Sequence, residues 1–205
     1  MLSFIGGTGP EGLGLAIRLL LAGEEVIIGS RSMERASDAA EKLRAMLESK
    51  ASDGPAASAR VYGMVNEEAV RTGDIILVTV PFQAQADTLA YLSKLIGQKM
   101  VVSTVVPLEF GKGTIKSVPV EEGSAAEQAQ RILPGATVVS AFQNLSAETL
   151  ISIAERMDCD VVVCADDQDA KARTMELAER IEGIRAVDGG TLANSRYVEE
   201  FTALL

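Results

Sequence analysis

The run Phe4-Ile5-Gly6-Gly7-Thr8-Gly9-Pro10-Glu11-Gly12-Leu13-Gly14 constrains the fold of this chain more than any other stretch. It sets a G-x-G-x-x-G spacing, on Gly7, Gly9 and Gly12, between the apolar segment Leu2 to Ile5 and the amphipathic segment Leu13 to Leu21. Glycines so spaced let the backbone turn sharply from a strand into a helix and approach a pyrophosphate with no Cβ in the way. The helix then points its positive end at the phosphates. A glycine-rich turn alone is common; flanked by a strand and a helix it reads as the first turn of a dinucleotide-binding fold. Gly7, Thr8, Gly9, Pro10, Glu11 and Gly12 are the cofactor-binding residues this loop supplies.

The second strand selects the dinucleotide. About 20 residues past such a loop, folds that bind NAD place a carboxylate that accepts hydrogen bonds from the adenosine ribose. Here Val26-Ile27-Ile28 leads instead into Gly29-Ser30-Arg31, with Arg35 one helical turn further on. Ser30 donates to a phosphate oxygen, and the Arg31 guanidinium pairs with phosphate and stacks on adenine, so the expected cofactor is NADP. The plainer reading of Arg31 and Arg35 is a solvated helix start, against which their place after this strand weighs.

Composition bounds the rest. A chain of 205 residues, 47% hydrophobic and 23% charged, buries about 70% of its unfolded surface in one core, or in one core with a small appendage. A formal charge of −10 argues against nucleic acid and against an anionic membrane as partners. No signal peptide is readable, and Gly or charge interrupts every apolar run well short of the roughly 20 residues that span a bilayer, so a cytoplasmic protein is expected. The sequence holds no histidine and two cysteines, Cys159 and Cys164. Their odd spacing in a strand sends them to opposite faces, so buried thiols are expected, with neither a disulfide nor a bound metal. Asp166-Asp167 is expected to cap a helix.

Strands and helices alternate throughout. A helix is expected over Met33 to Lys50, then a small-residue loop over 51–58, a strand near Arg60 to Gly63 and a short helix capped by Asn66. A buried strand over Asp74 to Val80, a helix over Gln83 to Leu95, a strand over Met100 to Val105 and another over Ala136 to Phe142 follow. Beyond them come a helix from Ser146 to Met157, a strand around Val161 to Cys164, a helix from Asp167 to Ile181, a strand from Ile184 to Val187 and a terminal helix from Thr191. Continuous apolar runs fit a mainly parallel sheet covered on both faces. The fold class is therefore α/β, a Rossmann-type doubly wound sheet over residues 1–142 with a smaller C-terminal α/β extension over 143–205.

Ligands in such sheets lie at the carboxyl ends of the strands, near the switch in strand order. Three segments converge there: Thr79-Val80-Pro81-Phe82, Thr104-Val105-Val106-Pro107 and Ala141-Phe142-Gln143-Asn144. Each joins apolar surface to one or two polar groups, as a pocket for a flat ring requires. The sequence offers no imidazole, no nucleophile elbow and no ligand cluster. Hydride transfer to a carbonyl usually needs a proton donor, whereas transfer between two redox cofactors needs mainly their alignment. No catalytic acid or base is therefore assigned.

The chain resembles the F420:NADP oxidoreductases, the NADPH-dependent reductases of coenzyme F420, over essentially its whole length. The matching segments are Gly6-Gly7-Thr8-Gly9, Val26 to Arg31, Thr79-Val80-Pro81, Glu122 to Glu127, Ser140-Ala141-Phe142 and Ala193-Asn194-Ser195-Arg196. The resemblance implies a homodimer that passes hydride reversibly between the nicotinamide of NADP and C5 of the 5-deazaflavin. It places the NADP phosphates on Thr8, Gly9, Ser30, Arg31 and Arg35, and the nicotinamide near Thr79, Val80 and Pro81. The deazaflavin falls along Val106, Pro107, Ala141, Phe142, Gln143 and Asn144, with Asn194 nearby. Some relatives carry histidine where this chain has Gln143, and relatives continue past the position of Leu205. Lys112 and Lys116 are in reach of the deazaflavin's anionic tail but read more simply as solvated. Two rivals remain: an NADP-dependent reductase of a small imine or carbonyl, akin to pyrroline carboxylate reductases, and a non-catalytic NADP-sensing module.

Overall fold

The apolar runs become strands because each is buried on both faces. In the computed structural model, which describes residues 1–50, 60–111 and 114–204, the elements are β1 (Leu2–Ile5), α1 (Pro10–Leu21), β2 (Val26–Ser30), α2 (Met33–Lys50), β3 (Val61–Val65), α3 (Asn66–Thr72), β4 (Ile75–Val78), α4 (Phe82–Ile96) and β5 (Met100–Ser103). They continue with β6 (Leu108–Gly111), β7 (Thr114–Ser117), α5 (Ala125–Ile132), β8 (Thr137–Ser140), α6 (Ala147–Ile151), β9 (Cys159–Ala165), α7 (Gln168–Glu179), β10 (Ile184–Asp188) and α8 (Ser195–Thr202). The expected loop over 51–58 and Lys112 lie outside the described residues.

Eight strands form one sheet in the order β10-β9-β8-β5-β4-β1-β2-β3. From β3 to β8 every neighbouring pair is parallel, as expected of a doubly wound Rossmann-type sheet. The strand order reverses beside β1, between β2 and β4. Alternate residues of β1 feed opposite layers: Leu2 and Phe4 pack with Leu15, Leu19, Leu43 and Leu150, Ile5 with Val70, Leu89 and Ala126. Each such fully buried side chain is worth roughly 1.5–3 kcal/mol, so the loop leaving β1 starts from a rigid base.

Three features depart from the sequence reading. First, β9 runs antiparallel to β8, pairing Val139 with Ala165 and Ser140 with Cys164, while β10 runs parallel to β9. The parts of the chain on either side of residue 142 therefore share one sheet. Second, the segment after Pro107, for which no strand was expected, contains an antiparallel pair, β6 with β7.

Third, α6 ends at Ile151 and not near Met157. The guanidinium of Arg18, only 6% exposed, reaches across from α1. It donates to the carbonyls of Thr149 (2.8 Å), Leu150 (2.9 Å), Ser152 (3.0 Å) and Glu155 (2.9 Å). Helix ends leave carbonyls without partners, and a cation placed among them favours termination. Close approach of the two helices requires Gly14, where a Cβ would lie 2.6 Å from the Leu150 Cβ.

Asp167 accepts from the Ala170 N–H at 2.8 Å and caps α7. Cys164 is buried and Cys159 half-buried, both as free thiols. Among the described residues no helix is long and apolar enough to cross a membrane.

Candidate functional site

The glycine loop is fixed by contacts that only glycine permits. Gly6 has φ +73°, and a Cβ there would sit 2.5 Å from Val80 Cγ1. A Cβ on Gly12 would lie 2.8 Å from Gly7 Cα and 2.9 Å from its carbonyl oxygen, so the first turn of α1 rests directly on the loop backbone. The Gly7 N–H donates to the Gly29 carbonyl at 3.1 Å, tying the loop to β2. Asn66, expected as a helix cap, instead accepts from the Gly6 N–H through Oδ1 at 3.4 Å. No side chain caps α1 and Pro10 opens it, which leaves first-turn N–H groups available to an anion.

A cleft of about 650 Å³ opens above this loop and the adjoining strand ends. Thr8, Gly9, Pro10, Glu11 and Gly12 line one side, with Ser30, Arg31 and Arg35 beside them. Arg31 and Arg35 are exposed, and Arg35 is held over the loop by a 3.3 Å hydrogen bond to the Thr8 hydroxyl. Ser30 is 5% exposed, its Oγ accepting from the Ser32 N–H at 3.3 Å.

The facing side comes from the strand ends, with Thr79, Val80, Pro81, Val106 and Gln143. The Thr79 hydroxyl donates to the Ile5 carbonyl at 3.1 Å and the Thr104 hydroxyl to that of Val78 at 3.0 Å. The Thr79 proton is thereby spent on the sheet, while the Thr104 hydroxyl also stands against the Glu11 carboxyl. Gln143 donates through Nε2 to Ser140 Oγ at 2.5 Å and to the Ser103 carbonyl at 3.3 Å, while its Oε1 is buried without a partner.

Glu11 is the acid of this site. Burial pushes its carboxyl up to about 7, only partly offset by the Thr104 hydroxyl, and its Oε1 lacks a partner. Charge on the cleft wall is therefore two exposed guanidinium groups and one carboxyl that titrates near neutrality.

The remaining expected residues are not part of the cleft lining, and all but the exposed Asn194 are buried or half-buried. Gly7 is buried under Gly12. Pro107 is buried and its carbonyl accepts from the Val118 N–H at 2.7 Å, closing the root of the β6–β7 pair. Ala141 and Phe142 are fully packed in the core, at 0% and 1% exposure. Phe142 has φ +72°, a left-handed conformation costing an L-residue roughly 1–2 kcal/mol; it turns the chain so that Gln143 faces the cleft. Asn144 donates to the Asp160 carbonyl at 2.6 Å and Asn194 to that of Gly189 at 2.7 Å.

The cleft also takes Phe82, the last residue of the first strand-end segment, and Leu108, Leu145 and Thr202, which that reading did not name. Phe82 and Leu108 had their strand-end positions as a signal. Thr202 had none: it arrives through the C-terminal helix and donates to the Gln143 carbonyl at 3.4 Å.

Such an arrangement has groups suited to an extended anion at one end and to a flat ring system at the other. Comparisons with known proteins give the family. The profile of a family described as NADP oxidoreductase, coenzyme F420-dependent, matches residues 1–107. The F420-dependent NADP reductase of Methanothermobacter thermautotrophicus is 43% identical over all of this chain and 87% of its own length. That of Methanocaldococcus jannaschii is 36% identical over all of this chain and 90% of its own. Among solved structures, a protein of Sinorhizobium meliloti superposes with a TM-score of 0.77 at 25% identity, over 98% of this chain and 90% of that one.

Proposed function

Because the chain belongs to the family of coenzyme F420-dependent NADP oxidoreductases, we propose that its cleft brings NADP(H) and F420 together, with residues 143–205 completing the deazaflavin end. The protein is an oxidoreductase of these two cofactors. The observation that carries the site assignment is the cleft itself, in which an uncapped helix terminus and two exposed guanidinium groups share one cavity with the apolar strand ends.

The residues present suit both groups. Gly12 resting on Gly7 leaves the loop backbone bare for a pyrophosphate, and Arg31 with Arg35 supports recognition of a ribose phosphate. Pro81, Val106 and Leu145 supply apolar surface for stacked rings, with the unpartnered Gln143 Oε1 as a polar anchor. When bound, the two cofactors supply the hydride donor and acceptor; the chain aligns them and excludes water. No side chain is assigned as a catalytic acid or base.

We further read the chain as a cytoplasmic homodimer. The free thiols fit a reducing compartment. On and beside α8, Tyr197, Phe201 and Leu204 are 66%, 54% and 81% exposed, a face that a second subunit would cover.

The test mixes purified protein with NADPH and oxidised F420 and follows the deazaflavin's visible absorbance. Bleaching is expected; its absence, with NADPH still bound, overturns the reading. Arg31→Ala is expected to lose one charge-assisted contact, weakening NADPH roughly tenfold or more and NADH far less.

A further inference from the structure

Glu11 is out of place. The mouth of a cleft read as a dinucleotide site should carry positive charge, yet among the described residues lining it stands one acid, in the first turn of the phosphate-facing helix. Its Oε1 is wholly buried and unpartnered, and the Thr104 hydroxyl, which engages the carboxyl, does not offset that burial. Resting on the dinucleotide reading above, we propose that Glu11 is a proton-linked part of the binding site: the cleft accepts the dinucleotide with this carboxyl neutral, and binding takes up a proton wherever the free protein carries it ionised.

Geometry supplies the argument. The positive end of α1 favours a carboxylate, as do Arg31 and Arg35, the other charged residues on the cleft wall. The ends of β4, β5 and β8 present Thr79, Thr104 and Gln143, none of which titrates near neutrality. Burial already outweighs these favourable terms in the free protein, where the carboxyl sits at about 7. A pyrophosphate laid against the same helix turn brings like charge and removes the remaining water, and both act against ionisation. The neutral acid has an O–H to donate to a phosphate or amide oxygen, giving the orphan group a partner.

The sign follows directly. If the complex keeps the proton and the free protein loses it at about 7, the apparent Kd rises with pH as one plus the ionised-to-neutral ratio. Affinity then falls about tenfold between pH 6 and pH 8. The ligand's own 2′-phosphate ionises near pH 6 and works in the opposite direction.

The test is calorimetric titration of NADPH at pH 6, 7 and 8, in two buffers of different ionisation enthalpy, on the unmodified protein and on Glu11→Gln. We expect net proton uptake to rise with pH to about one per site at pH 8 in the unmodified protein, release from the 2′-phosphate opposing it near pH 6. We also expect its affinity to fall about tenfold relative to Glu11→Gln over that range. Uptake at pH 8 cannot come from the 2′-phosphate, already ionised there, so the unmodified protein decides the matter even if the variant fails to fold. Binding with no proton uptake, or the same pH slope in both proteins, overturns this inference alone. Failure of NADPH to bind at any pH overturns the dinucleotide reading and this inference with it.

Discussion

The two ends of the cleft are built on opposite plans. At the glycine-loop end the polar groups face the cavity: α1 has no capping side chain, and Arg31 and Arg35 stand exposed beside it. At the β8 end the expected residues are packed in the core or bonded to neighbouring groups of the fold. Phe142 is buried, Asn144 is bonded to Asp160 and Asn194 to Gly189, and Gln143 leaves one oxygen unpaired. The first end offers bare backbone and charge; the second offers shape, its expected polar side chains being bonded mostly to neighbouring backbone.

The largest effect should come from removing the bare backbone on which the first end depends. Gly12→Ala puts a Cβ within 3 Å of three Gly7 backbone atoms, which no side-chain rotation relieves. Separating loop and helix forfeits about two charge-assisted hydrogen bonds to a pyrophosphate, roughly 3 kcal/mol or a hundredfold in affinity. Overpacking adds about 1–3 kcal/mol of instability. Titration with NADPH and a urea melt read both; unchanged affinity would detach the glycine loop from the proposed phosphate site.

This asymmetry explains what was legible beforehand. Glycines that admit close backbone approach declare themselves locally, so Gly6 to Gly12 and the β1 to α1 turn could be read from the chain. Long apolar runs likewise announced the sheet. Features set by distant partners could not be read. The early end of α6 depends on Arg18, more than 130 residues away in each of its four bonds. The reversal of β9 leaves no trace in strand composition. The β6–β7 pair buries little, every residue of β7 being exposed, so no strong alternation marks it. Glu11 showed only as a loop residue, because burial that shifts a carboxyl is a property of the assembled walls.

A second test probes the β8 end, through the acid that anchors it. Glu199 on α8 is 1% exposed and accepts from the N–H groups of Ala125 (2.7 Å) and Ala126 (3.1 Å) at the start of α5. Those bonds favour the ionised form, but burial, with Glu127 and Glu200 nearby, outweighs them and lifts the carboxyl to about 7 from an ordinary 4.5. The folded state then binds the proton more tightly than the unfolded one. Stability from this group is full below pH 4.5 and declines through the window up to 7, by about 3 kcal/mol in all. Urea melts at pH 5, 6, 7 and 8 should show the unmodified protein losing that amount relative to Glu199→Gln. Glu11 contributes a slope of the same sign to both. Equal slopes would mean that the α5 terminus keeps Glu199 ionised.

The smallest effect distinguishes a motif residue that touches the ligand from one that shapes the wall. Asn194 is exposed, and its Nδ2 bonds to the Gly189 carbonyl at 2.7 Å, just before Gly190 with its φ of +86°. A solvent-exposed hydrogen bond of this kind is worth about 0.5–1 kcal/mol, or about 1–4 °C in Tm for a domain of this size. Asn194→Ala should therefore lower Tm by that margin and leave the KM for F420 within about twofold. A side chain in contact with the deazaflavin would reverse the pattern, raising KM by tenfold or more with Tm unchanged. That outcome would move Asn194 to the cleft face and make the β8 end, like the glycine loop, a surface that recognises through its own polar groups.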